Sequence, residues 1–266
     1  MNRIVGLGVQ SRGDTVPQAR KPRRLFYIVV AFAMAIVVFV GFGPTFYFRA
    51  VTGPALHLPP LPSPLVWVHG FVFSSWMLLL LLQTTLVRNG KVNWHRKIGV
   101  VAVTLAALMV VLGSAAQVAQ TRRDVAAHFK PLDVVAENTA TISALLSMVI
   151  FAALIVAAVR SRRRPESHKR LMLLATVVLL QAATGRIAGV SALVAPVVVP
   201  FVPAVTFGLV DVFILALALH DLSTTGRLSR VTVWGALPIL LVQAVSLTPF
   251  YGSAVATRFT LWLGNS

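Results

Sequence analysis

Three histidines stand where apolar segments begin or end. His95 lies in Trp94-His95-Arg96-Lys97-Ile98-Gly99, His168 in Glu166-Ser167-His168-Lys169-Arg170, and His220 is followed by Asp221. Three imidazoles with one carboxylate form a ligand set for Zn or Fe. A water activated on that metal would make the chain a membrane-embedded hydrolase. Two imidazoles at one depth on different helices can instead take the axial positions of a haem. The cations Arg96, Lys97, Lys169 and Arg170 oppose a bare dication. They suit a haem propionate, a phosphate or a lipid headgroup. Against all of these stands plain anchoring, in which His, Arg and Lys beside Trp hold helix ends at an interface.

A second set is His69, Glu137, Arg186 and Asp211, all inside apolar segments. Ionisable groups at such depth are costly, and they point to function by default. At about 1.5 Å per residue, Arg186 and Asp211 differ in depth by roughly 6 Å, within reach of an arginine side chain. Gln117, Asn138 and Gln181 are polar neighbours at similar depth. The set reads as a pocket for a small molecule, a quinone or a lipid headgroup, or as part of a proton relay. The structural alternative is an Arg186–Asp211 pair that clamps two helices, helped by the small residues Gly185 and Gly189. Ser74, Ser75 and Gln83 read as helix–helix hydrogen-bonding residues. His57 and His128 read as solvated loop residues.

Positioning these groups is the work of spanning helices. Of 266 residues, 57% are hydrophobic and 12% charged. A soluble domain carries about 25% charge, so several long apolar runs mean a polytopic helical membrane protein. Strict alternation is absent, which argues against a β-barrel. We expect an all-α transmembrane bundle of about seven spans. They cover residues 26–48, 65–87, 98–120, 134–159, 171–190, 201–219 and 231–248. The count becomes six or eight if the proline-rich connection 190–203 or the tail is misassigned. Residues 1–24 read as a basic cytoplasmic arm, 25–250 as the membrane domain and 251–266 as an interfacial tail. Gly41-Phe42-Gly43-Pro44 should kink the first span.

Charge sets the threading. The chain holds 24 Lys plus Arg against 7 acids. With the N-terminus inside, the inner segments carry 18 of these cations and the outer ones 5. That is a strong positive-inside bias, placing the C-terminus outside a bacterial plasma membrane. No nucleic-acid module accompanies the charge. The absence of cysteine excludes disulfides, thiolate metal sites and covalent c-type haem. No phosphate-binding glycine loop, HExxH or GxSxG occurs.

The pattern His69-Gly70, Trp76, Gln83, Arg88, Gly90, His95-Arg96-Lys97-x-Gly99, with His168-Lys169-Arg170-Leu171-Met172, Gly185-Arg186 and His220-Asp221, resembles a family of bacterial multi-span membrane proteins known only as a domain of unknown function. The resemblance spans residues 60–235 and implies fold and location but no activity. A looser similarity is to cytochrome b561-type bundles, whose four intramembrane histidines hold two haems. This chain has one firmly intramembrane histidine, His69. What that similarity implies is at most one haem b, held by two of His95, His168 and His220. Rhodopsin-like chemistry is excluded, because the seventh span has no lysine. The expected function is therefore a haem- or metal-binding membrane redox protein. A transporter or small-molecule binder is the alternative, and a metal hydrolase the second.

Overall fold

The computed structural model describes residues 21–56, 63–127 and 134–266. Among them every regular element is helical. In order these are α1 (Lys21–Phe42), a π-helical turn (Gly43–Tyr47), α2 (Arg49–Ala55), α3 (Pro64–Arg88), α4 (Val92–Ala126) and α5 (Val134–Arg160). Then come α6 (Pro165–Val194), a 3-10 turn (Pro196–Phe201), α7 (Val202–Thr225), α8 (Arg230–Ser246), a second 3-10 turn (Pro249–Gly252) and α9 (Ala254–Asn265). Six helices are long and apolar enough to cross a membrane, and α8 is a seventh, shorter apolar helix. The chain is a multi-pass, all-α membrane protein. His57, His128 and most of the basic arm lie outside the described residues.

Helices run on past the apolar stretches that reveal them. Residues 92–97, 165–170 and 220–225, expected as loop, are helical and continue α4, α6 and α7. Hydropathy marks only the apolar part of a helix. Nothing obliges the backbone to leave its own hydrogen-bond ladder at the membrane boundary, and Pro at the first positions of α6 suits a helix start. His95, His168 and His220 therefore sit on rigid helix, and their directions are set by helical geometry. The α7 C-terminus is closed by Gly226 at φ +70°, the left-handed cap that glycine accepts without strain. At Gly43 the first span leaves α-helical geometry for the π-helical turn, where a kink was expected.

The bundle is organised around α6, which packs on α1, α5, α7 and α8. In α6, 61% of the apolar window is buried, against 22–39% in the other spans. Leu174, Val177 and Leu180 are fully enclosed, with Met34 of α1, Met109 of α4, Phe151 of α5 and Leu217 of α7. The other faces carry exposed Phe32, Leu78, Val100 and Trp234, which suits contact with lipid. Apolar tails offer no hydrophobic gain for helix association, so cohesion rests on close packing and interhelical hydrogen bonds. A Cβ at Gly41 would collide with the backbone of Ala183, so the absence of a side chain lets α1 lie against α6. The tail helix α9 docks on α4 and α5. Asn138 Nδ2 donates to the Tyr251 carbonyl (2.8 Å) and to Thr257 Oγ1 (3.0 Å), and fully buried Tyr251 meets Ser143 through its hydroxyl (3.1 Å).

We call the end holding residues 89–91, 161–164 and 226–229 the basic end. The other, where α9 docks, is the opposite end.

Candidate functional site

At the basic end α4 and α6 bring two of the three histidines together. The ring centroids of His95 and His168 are 6.2 Å apart, with planes at 80°. His168 Nδ1 lies 2.9 Å from the Ala158 carbonyl of α5. A carbonyl only accepts, so Nδ1 carries a proton and donates it to this contact. That is the orientation an outer hydrogen bond gives a ligating histidine. His95 Nδ1 is buried without a hydrogen bond. Lys97 of the same helix lies 5.4 Å over the Trp94 ring.

His220 is not part of this pair. Its ring stacks on Phe26 of α1 at 4.0 Å and 3°, and meets the edge of Tyr27. Lys169 Nζ covers Tyr27 at 4.6 Å. Asp221, expected as a fourth ligand, is spent elsewhere. It is fully buried, and its Oδ1 accepts from Arg170 Nε (2.8 Å) and Nη2 (2.6 Å). Its Oδ2 accepts from Thr232 Oγ1 and the Ser229 amide. Arg170 also binds the Glu166 carboxylate at 2.8 Å, and Glu166 holds Lys169 at 2.7 Å. Both carboxylates are thus committed to cations, forming a clamp across α6, α7 and the start of α8. Among the described residues no three His, Cys, Asp or Glu side chains assemble for a metal. The four-residue set His95, His168, His220 and Asp221 is not brought together.

Deeper along the same faces lies a cavity of about 20 Å³, lined by Trp76, Leu79, Leu80 and Gln83 of α3, Ala102 of α4 and Met172 of α6. Ala102 follows His95 by seven residues and Met172 follows His168 by four, so both continue the imidazole-bearing faces inward. The cavity has room for about one water. Gln83 has a buried amide whose nitrogen and oxygen both lack a hydrogen bond. Above it Trp76 Nε1 donates to Thr176 Oγ1 at 3.2 Å. The interhelical bonds expected of α3 fall unevenly. Ser74 bonds Tyr47, Ser75 bonds only its own helix, and Gln83 has none. Sequence spacing alone does not single out Gln83 as the polar group at this cavity.

The second candidate set is only partly gathered. Arg186 is exposed on α6, donates from Nη1 to the Ala182 carbonyl (2.8 Å) and lies 4.4 Å over the Phe42 ring of α1. His69 of α3 stacks on Phe73 at 4.1 Å, and its Nδ1 is buried without a hydrogen bond. Arg186 is within electrostatic range of His69. Asp211 faces Gln243 of α8 instead. The ion pairs among the described residues all lie at the basic end, and none joins Arg186 to Asp211. Glu137 stands in the first turn of α5, beside the Asn138 that docks the tail. No protein-family model, curated protein or solved structure matches the chain.

Proposed function

We propose that this chain is a redox protein of the bacterial inner membrane, holding one haem b by His95 and His168. Its N-terminus would be cytoplasmic and its C-terminus outside. The observation that carries the reading is the imidazole pair. His95 and His168 would hold the iron, and their ring centroids stand 6.2 Å apart. The pair comes from two different helices, and the Ala158 carbonyl accepts from His168 Nδ1. Arg96, next to His95 in the chain, is a cation that suits a propionate. A tetrahedral zinc site needs further ligands, and the nearby carboxylates are bound to Arg170 and Lys169. That weighs against the hydrolase.

When bound, haem supplies one-electron chemistry. The chain's own part is to hold the two half-buried rings on α4 and α6 and to place Arg96 beside them. Replacing His95 or His168 by Ala is expected to abolish the Soret band while expression persists, and His220→Ala is expected to retain it. A full band in the His95→Ala/His168→Ala double variant would refute the ligand assignment. The transporter or small-molecule alternative is favoured by one observation, the arginine at spanning depth on α6 with no carboxylate partner among the described residues.

A further inference from the structure

Arg186 stands eight residues before the end of α6, about 12 Å along the helix axis. Arginines near helix ends ordinarily extend to the headgroups. This one folds back toward the middle of α6, to the Ala182 carbonyl four residues earlier. Its guanidinium is thereby held deeper than its own Cα. It also rests on an aromatic face, Phe42 of α1. A guanidinium offers five N–H donors, and a single hydrogen bond, from Nη1, is seen. The side chain is exposed at the surface of the bundle.

A permanent cation with open donors at membrane depth asks for an anion. Water reaches such depth poorly, and the protein supplies no carboxylate there among the described residues. We infer that the junction of α1 and α6 around Arg186 binds the anionic headgroup of an amphiphile, a carboxylate or phosphate, admitted sideways from the bilayer. Arg186 supplies the charge and the donor fork, and Phe42 fixes its plane. The site is separate from the imidazole pair at the basic end and does not depend on haem.

The test uses the full chain purified in detergent, titrated with radiolabelled palmitate. The uncharged palmityl alcohol, dioleoyl phosphatidylglycerol and inorganic phosphate serve as competitors. We expect saturable palmitate binding that phosphatidylglycerol displaces and the alcohol does not. Inorganic phosphate should compete only weakly. Arg186→Gln should weaken binding at least about tenfold, as loss of a charge-assisted contact implies. Arg186→Lys should keep part of it. The alcohol displacing palmitate as well as the phospholipid does would overturn the proposal, as would wild-type affinity in Arg186→Gln. So would no palmitate binding at all. Inorganic phosphate competing as tightly as the lipid would overturn the amphiphile in favour of a free anion. If Arg186→Gln fails to fold, the alcohol competition and Arg186→Lys still decide.

Discussion

Asp221 shows how a residue's neighbours in space decide its role. In the sequence it follows His220 and reads as a metal ligand. On a helix successive residues point about 100° apart, so the two face different partners. His220 turns to Phe26, and Asp221 turns to Arg170, fifty-one positions away. A buried ion pair contributes little over an apolar pair, but losing one partner strands a charge. Asp221→Ala or Arg170→Ala is therefore expected to destabilise the fold by about 3–5 kcal/mol. The Arg170→Met/Asp221→Leu double variant should recover most of that. Thermal unfolding in detergent, followed by helical circular dichroism, checks both. A double variant as unstable as the worse single one would show that Thr232 and Ser229, not the charge pair, carry the clamp. His95 and His168 were legible as two of three histidines at one membrane face, but that they meet while His220 turns to Phe26 was not. Nor was Gln83, because its isolation is set by what α4 and α6 leave beside it.

At the scale of elements, hydropathy located the spanning helices but understated α4, α6 and α7, whose polar ends continue past the apolar stretch. The cost was a misreading of site residues as loop residues, when α4, α6 and α7 carry them rigidly. The docking of α9 was also hidden. It depends on Asn138 reaching Tyr251 across 113 positions, and no periodicity encodes that. The α1–α6 contact is similarly non-local. Gly41→Leu should wedge α1 from Ala183 and destabilise the fold by about 1–3 kcal/mol, the usual cost of overpacking. Because α1 also carries Phe42 beneath Arg186 and Phe26 beneath His220, the same change should weaken palmitate binding. An unaltered melting curve for Gly41→Leu would mean that the contact yields freely.

For the molecule as a whole, the seven apolar helices and the concentration of Lys and Arg at one end were readable from composition and order. The threading makes a direct prediction. The chain has no cysteine, so single cysteines report cleanly. Ser161→Cys, in the α5–α6 turn, should resist a membrane-impermeant maleimide in intact cells and react once they are opened. Ser253→Cys, before α9, should react in intact cells. The reverse pattern would invert the topology and put the imidazole pair on the outside.

The central claim is that His95 and His168 hold a haem. Its most direct test is the visible absorption spectrum of the purified protein, from cells supplied with haem precursor, before and after dithionite. We expect a Soret band that sharpens and shifts to the red on reduction, with α and β bands of low-spin bis-imidazole iron. A colourless protein, folded by circular dichroism and free of iron by elemental analysis, would contradict the claim.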